Sequence, residues 1–225
     1  MPLRLCVLIS GSGTNLQALI DARDEGRLDI DIVHVISNVA DAAGLERARR
    51  AGLASSVLEY TRFGLRDRFD RALAVLMAAG DPDLFVFAGF MRIVGNPVLD
   101  RYQGRMINLH PSLLPLYPGL ETYRRAINAG DRQHGASVHF LTDRLDGGPV
   151  ISRVRVPIRP DDDSESLRRR LAPEEHRLIV ATVELFQGHR VERGEDRVVV
   201  DGSAIEAPLL LGKDGTLHVQ RGTQV

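Results

Sequence analysis

Asn108, His110 and Asp146 are the residues of this chain whose types and spacing suit chemistry best. In Met106-Ile107-Asn108-Leu109-His110 side chains alternate along an apolar strand, so Asn108 and His110 share a face and reach one reacting atom above it. Pro111 and Pro115 stiffen the turn that follows. Asp146 lies in Leu145-Asp146-Gly147-Gly148-Pro149, a flexible turn able to swing a carboxylate towards the imidazole. An amide donor, an imidazole and a carboxylate suit acyl transfer. When a nucleophile adds to a carbonyl the oxygen becomes negative; an Asn NH2 and a protonated His both donate to it, and losing one such donor costs about 10²- to 10³-fold in rate. A carboxylate beside the His favours the imidazolium and relays the proton that the nucleophile loses. His110 alone reads equally as a buried, hydrogen-bonded strand end; Asn108 on the same face and Asp146 in the turn favour the catalytic reading. Ser112 is a turn residue rather than a nucleophile, because its separation from His110 gives no activating geometry.

A second constellation sits near the N-terminus. Gly11, Gly13 and Asn15 occupy a strand-to-helix turn, where backbone N–H groups and the helix dipole favour an anion such as phosphate. Leu16 stands where a dinucleotide fingerprint would continue with glycine, and the second strand ends in Ser37-Asn38 instead of an acidic ribose ligand. A P-loop fails as well, since no Gly-Lys-Ser/Thr follows. A glycine turn selected only for tight packing remains the competing reading.

The elements that position these residues follow from periodicity. Leu3 to Ser10 is nearly continuous apolar sequence, as in a parallel strand buried on both faces. Expected next are a helix from Asn15 or Leu16 to about Arg27, a strand from Ile30 to Ile36, a helix from Ala42 to Ala51, a short strand from Ser56 to Glu59, a helix from Arg66 to Ala79 and a strand from Leu84 to Ala88. This βαβ order predicts an α/β, Rossmann-like fold: a mostly parallel central sheet flanked by helices on both faces. Ala136 to Phe140 and Val150 to Val156 are further strands, and the polar Ser152, Arg153 and Arg155 place the latter near a sheet edge. Asp161 to Asp163 and Ser164 read as the loop and N-cap of a helix reaching to Gln187, which Pro173 should interrupt or restart. Solvated capping explains the acidic trio better than a metal site does. Asp201-Gly202 and Asp214-Gly215 between short apolar runs predict hairpins in a short C-terminal β appendage. Residues 1–189 form the main domain, and residues 190–225 an appendage belonging to the same domain.

With 225 residues, 44% of them hydrophobic, the chain can bury a full core. Its net charge of -1 argues against a nucleic-acid partner, and Arg168-Arg169-Arg170 reads as a solvated helix face. The single cysteine, Cys6, belongs to the core of the first strand. Met1-Pro2-Leu3-Arg4 leads into a strand, not a signal segment, and no apolar run approaches the roughly 20 residues of a membrane span, so a cytoplasmic protein is expected. Monomer and homodimer both remain open.

The segment Asn108-Leu109-His110-Pro111-Ser112-Leu113-Leu114-Pro115, with Tyr117-Pro118-Gly119, His134-Gly135-Ala136-Ser137-Val138-His139-Phe140 and Leu145-Asp146-Gly147-Gly148-Pro149, resembles the formyltransferases that use 10-formyltetrahydrofolate. Within that group Ile9-Ser10-Gly11-Ser12-Gly13-Thr14-Asn15-Leu16-Gln17 is similar to the phosphoribosylglycinamide formyltransferases, and the similarity runs from about Leu3 to about Gly188. The resemblance implies formyl transfer from 10-formyltetrahydrofolate, a cosubstrate, to the amine of 5-phosphoribosylglycinamide in purine biosynthesis, with no metal and no covalent enzyme intermediate. It assigns the ribonucleotide phosphate to Gly13, Thr14 and Asn15, and the ribose and glycinamide amine to Glu175. It assigns the folate to Met91, Arg92, Ile93, Val94, Asn108, Thr142, Asp143, Arg144, Leu145 and Asp146, with Arg66 and Arg92 meeting the glutamate tail. It also implies a cis Leu114–Pro115 bond. Leu116 and Glu121 depart from the family pattern, which bears on loop contacts to the ribonucleotide. Rival expectations are hydrolysis of the same formyl donor, a transfer-RNA formyltransferase, which would need a larger nucleic-acid-binding tail, and a noncatalytic nucleotide or folate sensor.

Overall fold

The computed structural model describes residues 1–219, so the last six residues of the expected appendage lie outside it. The chain divides into two compact units, residues 1–108 with 141–144, and residues 109–140 with those from 145 onward.

In the first unit strands and helices alternate as β1 (Leu3–Ile9), α1 (Thr14–Asp24), β2 (Ile30–Ser37), α2 (Ala43–Arg50), β3 (Ser55–Val57), α3 (Arg66–Met77), β4 (Leu84–Phe87) and the short α4 (Asn96–Leu99), which no periodicity announced. The unit ends within β5 (Met106–His110). β1 pairs in parallel with β2 and β4, β2 with β3, and β4 with β5, giving the order β3-β2-β1-β4-β5. Leu5 to Ile9 are fully buried, as the unbroken apolar run requires of a central parallel strand. One core packs Cys6 and Leu8 against Phe69, Leu73, Phe85 and Met106. Burial pushes the Cys6 thiol up to about 12, so it stays protonated and inert. The Tyr102 hydroxyl, buried at the rim of this core, donates to the Ala74 carbonyl at 2.6 Å.

The second unit holds α5 (Thr122–Asn128), β6 (Gln133–Phe140), β7 (Val150–Pro157), α6 (Ser164–Gly188), β8 (Val191–Arg193), β9 (Val198–Val200), β10 (Ser203–Ala204), β11 (Leu209–Leu211) and β12 (Leu217–His218). β6 and β7 pair antiparallel along their length, so close that a Cβ on Gly135 would lie 1.9 Å from the Val154 carbonyl oxygen. β7 lies near the sheet edge, as expected, but not at it: β11 pairs with it in parallel at Ser152 and Arg153, and β12 continues antiparallel. The polar residues of β7 thus reflect what its side chains face, not an unpaired backbone. α6 packs on β6, β7 and β11. It begins one residue after the N-cap Asp163, whose carboxylate accepts from the Ser166 N–H at 2.7 Å, and Asp162 pairs with Arg170 at 2.5 Å. Contrary to expectation, Pro173 does not interrupt it. Leu167, Leu171, Leu178, Ile179 and Val183 are all buried along one face, and that shared packing outweighs one missing backbone bond. Both expected hairpins form. β9 and β10 turn at Asp201-Gly202, both at positive φ, and β11 and β12 turn through Gly215 at φ 89°. The Leu114–Pro115 bond is cis. Among the described residues no helix is long and apolar enough to cross a membrane, and no group of three or more His, Cys, Asp or Glu side chains is placed to hold a metal ion.

His134 gives the second unit an acid sensitivity. It is 1% exposed, packs against the Tyr123 ring at 5.1 Å, and has no hydrogen-bond partner for its buried Nε2. Burial lowers its pKa from 6.5 to about 4. A His with a depressed folded pKa resists a proton that the unfolded chain accepts, so stability is whole above pH 6.5 and falls as pH drops from there towards 4. Urea unfolding of wild type at pH 7.5 and pH 5 should show a loss on the order of 1 to 3 kcal/mol, smaller in His134→Gln. An equal loss in the variant would take His134 out of the acid response.

Candidate active site

In the first unit the chain leaves β1 and turns into α1 through Gly13, which caps the helix at φ 66°. Its Cα lies so close to α2 that a Cβ there would meet the Gly44 Cα at 2.6 Å. The turn is pinned further by Gly44 N–H donating to the Gly11 carbonyl at 3.0 Å and by Arg47 Nε donating to the Ser12 carbonyl at 2.8 Å. Gly13 therefore has a packing reason, and the packing reading of the glycine turn holds as far as Gly13 goes. It does not account for Asn15, whose buried Oδ1 lacks a partner, or for the absence of any acidic residue from the first turn of α1. Those first-turn N–H groups lack intrahelical acceptors and present a positive helix end.

The residues after β4 form an exposed shelf in the same unit. Met91 and Ile93 are 66% and 58% exposed, whereas Val94 is buried in the core, so only the first two offer an apolar face. The Met91 N–H donates to Ser10 Oγ at 2.7 Å, tying the shelf to the end of β1. Arg92 lies over the Tyr60 ring at 3.5 Å, and Arg66 donates to the Ile93 carbonyl at 3.2 Å while facing Asp70 at 3.5 Å. Arg66 thus braces the shelf from beneath. Thr142, Asp143 and Arg144 form a short turn in which the Arg144 N–H donates to Thr142 Oγ1 at 3.3 Å. Asn108 is partly buried on β5 beside Phe87.

In the second unit the predicted imidazole and carboxylate meet. His110, 6% exposed at the end of β5, has Nδ1 3.5 Å from Asp146 Oδ2 and donates from Nε2 to the Tyr117 carbonyl at 3.0 Å. Both ring nitrogens face oxygens that only accept. Asp146 adopts φ 49°, rare for a residue with a side chain, and its Oδ2 accepts the Gly119 N–H at 2.7 Å. Residues 117–119, where Tyr117 also has positive φ, therefore hold both members of the pair by backbone groups. Ser112 is fully buried and donates to the Leu116 carbonyl at 2.6 Å, the turn role expected of it. Leu116 is exposed, and Glu121 caps α5 at φ 58° and pairs with Arg124.

One neighbour of the pair was not singled out from the sequence. His139, 2% exposed near the end of β6, has Nε2 3.7 Å from Asp146 Oδ1 and donates from Nδ1 to the Phe140 carbonyl at 2.9 Å. Burial drives its pKa well below the ordinary value, against the pull of that carbonyl and of Asp146. Its signal was present in the quoted motif, but a register shift between Val138 and His139 breaks the alternation that would have assigned its face. Glu175, on α6, accepts the Tyr123 hydroxyl at 3.2 Å, and burial together with this carboxylate pushes the phenol's pKa up. Glu174 instead pairs with Arg177 at 2.7 Å, as surface charges do.

Comparison with known proteins identifies the framework that carries these residues. Residues 3–183 match the formyl transferase family model. The chain is 43% identical to the phosphoribosylglycinamide formyltransferase of Escherichia coli K12, over 90% of this chain and 96% of that protein. It superimposes on the phosphoribosylglycinamide formyltransferase of Coxiella burnetii with a TM-score of 0.86 at 45% identity, covering 91% and 96% of the two chains. Glycinamide ribonucleotide transformylase 1 of Symbiobacterium toebii gives 0.85 at 45% identity, over 88% and 94%. A match over 90% of the chain at this identity, on a mostly parallel α/β sheet with added antiparallel C-terminal strands, leaves one assignment: the chain belongs to the phosphoribosylglycinamide formyltransferase family.

Proposed function

We propose that the chain transfers the formyl group of 10-formyltetrahydrofolate to the amine of 5-phosphoribosylglycinamide. The amine lone pair attacks the formyl carbon, the carbonyl pair moves to oxygen, and collapse of the tetrahedral intermediate breaks the bond to N10 of the folate. The proton lost by the amine ends on that nitrogen. Asn108 and protonated His110 donate to the oxyanion, with the His110 Nε2–H taken over from the Tyr117 carbonyl, and Asp146 supports the imidazolium and relays the proton. The observation that carries this reading is the His110–Asp146 pair at 3.5 Å, held by the backbone of residues 117–119. It supplies a charged donor and an adjacent base without a serine or cysteine nucleophile.

The ribonucleotide phosphate is assigned to the helix start at Gly13, Thr14 and Asn15, where donors and a positive helix end coincide. Glu175 receives the ribose and the glycinamide amine, a cation on arrival. The folate is assigned to Met91, Arg92, Ile93 and Val94 and to Thr142, Asp143, Arg144, Leu145 and Asp146. Exposed Met91 and Ile93 would meet the flat pterin ring, and Arg92 and Arg66 would meet tail carboxylates.

An assay offering the formyl donor with each of three acceptors separates the rival chemistries. Rapid formylation with 5-phosphoribosylglycinamide, and at least about 10²-fold less with water or initiator methionyl-tRNA, is expected. Comparable turnover with water would make the chain a hydrolase. The phosphate assignment has its own check, since Asn15→Ala keeps the helix and leaves Gly13 untouched. It should raise KM for the ribonucleotide and spare KM for the folate; the opposite split would mean the two substrates are exchanged.

A further inference from the structure

The second unit contains a cavity of about 260 Å³ that the proposed chemistry does not use. Its walls come from Leu114 and Pro115, the Asp146 to Val150 turn, Arg153 on β7, and residues 196–198 and 205–208 of the C-terminal appendage. Of the residues assigned above to catalysis or substrates, Asp146 alone lines it, and the Asp146 carboxylate is already directed to Gly119 and His110.

Arg153 is the unusual member of this lining. It follows Ser152 on a strand paired on both sides, at Ser137 and at Leu210, so its backbone is fixed within the sheet. It donates to the Leu114 carbonyl at 3.2 Å, and its buried Nε has no acceptor. Among the described residues no carboxylate pairs with it; the neighbouring charge that acts on it is that of Arg155, which is repulsive. Burial and that repulsion both lower its pKa, yet an arginine does not give up its proton in a protein. A partly buried cation without a counter-ion is costly, and an anion entering beside it would remove the cost. The nearby charges of Asp196, Arg197 and Glu206 are on exposed residues at the appendage rim, where water and salt screen them.

The rest of the wall selects the kind of anion. Leu114, Pro115, Pro149, Val150, Val198 and Ile205 are apolar, so a fully hydrated phosphate would be stripped of water against hydrocarbon. A carboxylate attached to a short branched or aromatic body meets both needs, with its oxygens on the guanidinium and its body on the apolar wall. The volume lies below the range typical of drug-sized ligands, which limits the body to a few carbons. We infer that this cavity is a binding site for a small apolar monocarboxylate, anchored by Arg153 and bordered on one side by the C-terminal appendage.

Calorimetric titration of the full chain with 4-methylpentanoate tests the site, with 4-methylpentanamide as the neutral isostere and sulfate as the bare anion. Saturable binding of the acid, at least about 10-fold weaker binding of the amide, and a loss of at least about 10-fold in Arg153→Met are expected. Ile205→Trp fills the cavity from the appendage side without touching the cation, and should abolish binding while the melting temperature shows the fold retained. It carries the test should Arg153→Met fail to fold. Undetectable binding of the acid, equal binding of acid and amide, sulfate binding as tightly as the acid, or undiminished binding in Ile205→Trp would each overturn the inference.

Discussion

The geometry of the site turns on one carboxylate placed where it is expensive to keep. Asp146 combines a left-handed backbone with a side chain only 11% exposed, each of which costs free energy unless its surroundings offset it. The Gly119 N–H and the His110 ring supply the offset, and both depend on the turn of residues 117–119. That turn depends in turn on the packing below it, where Ser112 reaches the Leu116 carbonyl and Ser137 Oγ both donates to the Ser112 carbonyl and accepts the Leu114 N–H. The strand ends thus deliver the imidazoles, and the loop decides how they meet the carboxylate.

Two imidazoles flank Asp146, and their surroundings separate their roles. His139 is buried, donates from Nδ1 to a carbonyl and is held neutral by desolvation. His110 has acceptors at both nitrogens. A His139 held neutral leaves His110 as the ring placed to pair with the Asp146 carboxylate. Groups of one chemical type driven apart by environment are a recurrent basis for assigning acid and base.

Much of this was legible in the sequence because it rests on local rules. The unbroken apolar run of Leu5 to Ile9 gave a buried parallel strand, alternation put Asn108 and His110 on one strand face, and Asp-Gly pairs gave both C-terminal hairpins. The glycines around Asp146 pointed to a turn that could bring its carboxylate to His110. What escaped depends on tertiary context. Pro173 looks like a break until the buried face of α6 holds both halves together. The role of His139 depends on a local register shift and on a carboxylate several residues further along the chain, so no periodicity reports it.

The cavity behind the Asp146 turn is lined by Arg153, which no carboxylate pairs with among the described residues, so the Asp146 turn and the C-terminal appendage share a wall. The central claim, that the Asp146 charge sustains the donor on His110, is tested most directly by steady-state formyl transfer in Asp146→Asn, which keeps the shape and removes the charge. Wild-type melting behaviour with kcat lowered at least about 10²-fold and KM changed only modestly is the expected result. Near-normal kcat in a well-folded Asp146→Asn protein would contradict the account.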